Sequence, residues 1–220
     1  EVQGDDAHMH DAGEGFSSSL PAAKQLNQAQ HHLTLDLLGE NIHSRTQAEH
    51  NVKAYVDVLK GIKQHGLLSG ISIKLTMLGL DIDVEYCADN LFSIMEYARA
   101  NDQFVRIDME GSAYTNLTLD LFKRAHAEYG SKHIGTVIQA MLHRSKEDIA
   151  ELAGLCADIR LVKGAYKETK KSAYQKMSDI REAFNTYAEI LINSTTFPRF
   201  GTHDNQLIRS VRSYLADYDI

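Results

Sequence analysis

Cysteine is scarce, with only Cys87 and Cys156 in 220 residues. Both lie in apolar-periodic segments that read as helices, so a disulfide scaffold is disfavoured and two core thiols in a reducing compartment are expected. Long apolar runs are missing as well. None approaches the roughly 18 to 20 residues that span a bilayer, and the N-terminal stretch lacks the charged-then-apolar order of a signal peptide. There is no excess of positive charge either: the formal net charge is -7, and the basic residues are scattered. That balance gives no footprint for nucleic acid or an anionic membrane, and points to a small partner. Finally, no Gly-x-Gly-x-x-Gly follows a strand. The one Gly-x-Gly, Gly13 to Gly15, lies in the polar opening EVQGDDAHMHDAGEG, which disfavours an open dinucleotide-binding sheet.

What is present is alternation. Apolar, strand-like runs occur at residues 31–39, 70–79, 104–111, 134–142, 158–166 and 199–204. Between them, segments at 45–66, 84–102, 115–130, 145–157 and 171–193 carry apolar residues near i, i+3, i+4 and i+7, the period of a helix. Ser145 with Asp148, and Thr115 before an apolar run, read as N-terminal caps, while Gly66 and Gly130 read as ends. Repeated βα units with continuously apolar strands predict a parallel sheet covered by helices. A (β/α)8 barrel of the triosephosphate isomerase type and an open doubly wound sheet both fit this pattern. With 43% hydrophobic residues, one domain is expected over residues 21–220, preceded by a polar lead or arm at 1–20.

Polar residues gather at the C-terminal ends of almost every run: Lys74, Asp108 with Glu110, Gln139, Arg160 with Lys163, and Thr202 with His203 and Asp204. In a barrel that end is the catalytic face. Opposite charges let such a mouth balance itself and still leave cations for an anionic ligand. Gly164 and Ala165, small and just past a strand, allow a flat or phosphorylated group to approach the backbone.

The stretches LTLDLLGE, ISIKLTMLGLDID, VRIDMEGSAYTNLTLDLF, VIQAMLHRSKEDI, IRLVKGAYKE and FGTHDNQLI, in this order, resemble the proline dehydrogenase family. The resemblance covers about residues 20 to 215. It implies a distorted (β/α)8 barrel, of which about six βα units are visible here. It also implies FAD at the strand C-termini, oxidation of L-proline to 1-pyrroline-5-carboxylate, and a quinone as electron acceptor. Carried over by position, Lys74 is expected to contact the substrate carboxylate, and Asp108 and Arg160 to be the catalytic pair. Asp108 would act as an orienting partner of Lys74 or of the substrate amine. Met109, Gln139, Lys163, Gly164, Ala165, Thr202 and His203 are expected to hold FAD. The family location this implies is cytoplasmic or peripheral on the bacterial inner membrane, or mitochondrial, with possible membrane contact.

The family pattern continues past the GTHD stretch with two more strands and a helix bearing adjacent arginines. The parent polypeptide is therefore expected to extend roughly 50 to 90 residues beyond Ile220, about two more βα units. A catalytically incompetent fragment is the alternative. A metal-dependent barrel hydrolase is a weaker one, prompted by His8 and His10, by His31 and His32, and by His203 with Asp204.

Overall fold

Seven helices and six strands alternate along the chain in a computed structural model that describes residues 15–194 and 197–217. The order is α1 (Phe16–Gln28), β1 (Leu33–Asp36), α2 (Arg45–His65), β2 (Ser69–Ile73), α3 (Val84–Ala100), β3 (Val105–Ile107) and α4 (Thr115–Tyr129). It continues with β4 (Ile134–Gln139), α5 (Ser145–Gly154), β5 (Asp158–Val162), α6 (Met177–Ile192), β6 (Phe197–Gly201) and α7 (Asn205–Asp217). All six strands are parallel and pair in chain order, β1-β2-β3-β4-β5-β6. An order that never reverses has no switch point, which rules out the doubly wound alternative and leaves the arc of a barrel.

The strand pattern explains the layering. Ile71 and Ile73, Val105 and Ile107, Ile134 and Ile138, and Ile159 and Leu161 are all buried against the helical layer. The alternating positions Ser72, Arg106, Gly135, Val137, Asp158 and Arg160 face the other side, as a two-residue period requires. Helix α2 begins at Ser44, whose hydroxyl accepts the Gln47 N–H at 3.2 Å, while the Gln47 side chain accepts the His43 N–H at 3.1 Å. It ends at Gly66, which adopts the left-handed conformation expected of it (φ 60°).

The inner side is plugged at its lower level by charge. Arg106, 2% exposed, bonds Asp158 at 2.6 Å and stacks over Phe104, and Arg199 reaches the same carboxylate at 3.2 Å. Burial pulls the Arg106 guanidinium down to about 10, against the raising effect of Asp158. Gly135 makes the space: a Cβ there would sit 2.8 Å from the Arg106 guanidinium and 2.7 Å from the Asp158 carbonyl.

Several expectations are corrected. Residues 16–20, within the expected lead or arm, form the first turns of α1, where Phe16 packs on Gly61 of α2 and Ala23 is buried. Residues 1–14 of that lead lie outside the described residues. Cys87 is a core thiol, but Cys156 is exposed, in a left-handed turn after α5 (φ 54°). Helix α6 starts at Met177 rather than near Lys171, because the preceding backbone bonds elsewhere: Ser172 accepts from the His143 N–H at 3.0 Å and Tyr174 donates to Met141 at 2.9 Å. Neither expected capping side chain caps. Ser145 donates to the Gln139 carbonyl at 2.6 Å and Asp148 pairs with Arg144, while α4 has no side-chain cap at its start.

Candidate active site

The strand C-terminal ends open into a cavity of about 460 Å³, within the range of small-molecule sites. Its wall includes Lys74 from the end of β2, Asp108 and Met109 after β3, Gln139 at the end of β4, and Arg160 on β5. Lys163, Gly164 and Ala165 follow β5, and Thr202 and His203 follow β6. Every residue that the family resemblance assigned to catalysis, substrate or FAD thus lines this one cavity.

Of the two partners expected for Asp108, Lys74 is not the one it meets in the protein. Asp108 bonds Arg160, not Lys74, and also accepts the Ser72 hydroxyl at 2.7 Å. Lys74 pairs instead with Asp36 at the end of β1, at 3.0 Å. The register accounts for this: Asp36 lies beside Ser72 across β1 and β2, two residues from Lys74. Burial opposes the Lys74 charge, but Asp36, Asp108 and Glu40 together outweigh it and hold the ammonium above its ordinary pKa. The Asp36 carboxyl is raised by burial, with Lys74 pulling against it. Lys163 meets Asp204 at 3.3 Å, and Arg181 of α6 meets the same oxygen at 2.8 Å. Each pocket cation therefore carries a carboxylate partner from another strand end, so an anionic ligand meets paired rather than spare cations.

The hydrolase alternative fares poorly on these contacts. Asp204, its carboxylate at a strand end, is committed to Arg181 and Lys163 and accepts the Gln206 N–H at 3.1 Å as α7 begins. His31 and His32 precede β1 and are exposed, and His8 and His10 lie outside the described residues.

Four site residues escaped the sequence reading. Ser72, 2% exposed, sits between Asp108 and Arg160. Asp36 was visible only as the one charged residue alternating with Leu33 and Leu35. Tyr166 lines the cavity and donates its phenol to Glu40 at 2.6 Å, joining the loop after β5 to the loop after β1. Burial first, then Glu40, holds that phenol above its ordinary pKa. Tyr166 directly follows the Gly-Ala pair already noted, so its position was a signal that went unused.

Two observations bear on a cofactor. Arg160 lines the cavity, and its Nε is buried with no hydrogen-bond partner among the described residues, so the protein alone leaves this guanidinium incompletely satisfied. Gly164 has φ 107°, and a Cβ there would sit 2.5 Å from the Met141 sulfur. Only glycine keeps this stretch of wall as it is. The residues present fit a flat ligand rich in acceptors.

An arc of parallel βα units with a charged cavity at the strand C-termini defines a (β/α)-barrel protein of the kind that carries its site at that face. Comparison with known proteins narrows the class. The family model described as proline dehydrogenase matches residues 19–220. Proline dehydrogenase 2 of Bacillus subtilis (strain 168) is 34% identical over 208 residues, covering 94% of this chain and 68% of its own length. Proline dehydrogenase of Deinococcus radiodurans is 29% identical over 212 residues, covering 95% and 68%. The chain belongs to the proline dehydrogenase family. Among solved structures, proline utilization A (PutA) from Bdellovibrio bacteriovorus, inactivated by N-propargylglycine, superimposes with a TM-score of 0.88. That match has 23% identity and covers 97% of this chain and 27% of that one, a likeness that bears on the fold. The chain thus spans about two thirds of the curated relatives' length and about a quarter of the PutA chain.

Proposed function

We propose that this chain carries the flavin site of an enzyme that oxidises L-proline to 1-pyrroline-5-carboxylate, with FAD as cofactor and a quinone as the eventual electron acceptor. The observation that carries the reading is Arg160: a guanidinium on the cavity wall, fixed there by Asp108 and Ser72. Met109, Gln139, Lys163, Gly164, Ala165, Thr202 and His203 would hold FAD. When bound, FAD supplies the acceptor for a hydride leaving the carbon beside the proline nitrogen.

The chain's own groups supply binding and a fixed field. Arg160 would supply a fixed positive charge from the cavity wall to a cofactor that gains electrons, and its carboxylate and hydroxyl partners hold it there before any ligand comes, so little reorganisation would be needed. Lys74 offers a charge-assisted bond to the substrate carboxylate. Asp36 and Asp108 present negative charge toward a ring ammonium and help orient it. No helix among the described residues is long and apolar enough to cross a membrane.

Flavin binding tests the reading directly. Titration of FAD into protein stripped of flavin should quench the free flavin fluorescence at a stoichiometry of about one. A folded preparation that leaves the fluorescence unchanged would sink it.

A further inference from the structure

Next to the wall residues Asp108 and Met109, a buried carboxylate belongs to none of the roles above. We propose that Glu110 is a positioning residue that fixes the turn after Lys74 and ties the loop between β1 and α2 to it, an inference that rests on the proline-oxidising reading of the site. Glu110 is 2% exposed. Its Oε1 accepts the Thr76 N–H at 3.1 Å and its Oε2 accepts the Thr76 hydroxyl. Thr76 is the second residue of a short 3₁₀ turn, Leu75–Leu78, that begins directly after Lys74. Glu110 therefore satisfies an amide at the start of the turn that aims Lys74.

The direction of these bonds carries the loop. Burial raises the Glu110 carboxyl, with the Thr76 hydroxyl and N–H pulling against it; in its ionised form it can only accept, and the Thr76 hydroxyl then spends its proton on Glu110. Its remaining lone pairs then face the Asn41 N–H, which donates to Thr76 Oγ1 at 3.2 Å. Asn41 is in the left-handed conformation (φ 52°) in the loop that also carries Glu40, the partner of Tyr166. The same residue acts on the opposite side through its main chain: the Glu110 carbonyl accepts the Gln139 amide N–H at 2.9 Å. With its N–H group used below, the Gln139 side chain has its carbonyl oxygen left to offer a ligand. One acidic residue thus sets the β1 loop, the Lys74 turn and the Gln139 amide together.

Glutamine at this position would be nearly isosteric but would put an N–H against the Thr76 hydroxyl. The hydroxyl would then accept from both the glutamine and Asn41 and would lose the acceptor for its own proton. Thr76→Val removes the same relay from the other end and keeps the side-chain shape. Hydrogen exchange of the full chain, read over residues 37–44, should rise at least tenfold in both Glu110→Gln and Thr76→Val. The double variant should go no further than either alone. With proline as substrate, KM should rise about tenfold with kcat within a factor of two, and the flavin's visible spectrum should be unchanged. Exchange over 37–44 and KM both at wild-type values in Thr76→Val would overturn the proposal, whether or not Glu110→Gln folds. A wild-type chain that proline does not reduce would instead remove the functional reading, while the exchange result would still decide the role of Glu110.

Discussion

The Arg160 guanidinium on β5 bonds the Ser72 hydroxyl on β2 at 3.3 Å. Three strand spacings separate these two strands, about 14 Å in a flat sheet, so the contact exists only because the sheet curls. The fold and the site are linked at this pair: curvature brings β2, β3 and β5 onto one cluster of Ser72, Asp108 and Arg160.

Removing the hydroxyl tests that link. Ser72→Ala leaves Asp108 with Arg160 but without its second donor, and a hydrogen bond to a charged group is worth about 1.5–3 kcal/mol. Urea denaturation should show a loss of about that size, and flavin reduction should slow. Wild-type stability and rate together would remove Ser72 from the site.

Arg160→Met should leave the fold intact and lower the flavin's reduction potential, because it would take a fixed cation from the wall of the proposed flavin site. Spectroelectrochemical titration reads this. An unchanged potential would refute the role given to Arg160.

Lys74→Ala should weaken a carboxylate analogue of proline by about 10- to 150-fold, the value of one charge-assisted bond of about 1.5–3 kcal/mol. FAD should remain bound, since Lys74 pairs with Asp36 rather than with the wall after β5. Equal analogue affinity in mutant and wild type would exclude Lys74 from carboxylate binding.

Asp204 gives the acid side of the stability profile. The Arg181 hydrogen bond first, then Gln206 N–H and Lys163, outweigh burial and lower its carboxyl from an ordinary 3.8 to about 2. A depressed carboxylate stabilises above its unfolded pKa, and that contribution disappears as pH falls through the folded value. Between about pH 4 and pH 2, Asp204→Asn should therefore show a shallower loss of stability than wild type, and at pH 7 it should be less stable. Parallel acid limbs in the two proteins would contradict this pairing.

The strands and most helices were legible because burial on one face writes a clear period, as at Ile71 with Ile73 or at Cys87, Leu91, Ile94 and Ala98 along α3. The residues at the strand ends were legible for the same reason, since Lys74, Asp108 and Arg160 interrupt apolar runs. Their partners were not. That Lys74 meets Asp36 while Asp108 meets Arg160 depends on register and curl across strands 38 and 52 residues apart, which no local pattern records. The late start of α6 was hidden likewise, because the helical period of its lead-in lost to backbone bonds with Met141 and His143.

The most direct measurement is anaerobic: add L-proline to the flavin-loaded full chain, with no electron acceptor present, and follow the visible flavin absorbance. The arrangement of Lys74, Asp108 and Arg160 around one cavity predicts bleaching that saturates with proline. An absorbance that holds at every proline concentration would contradict the account.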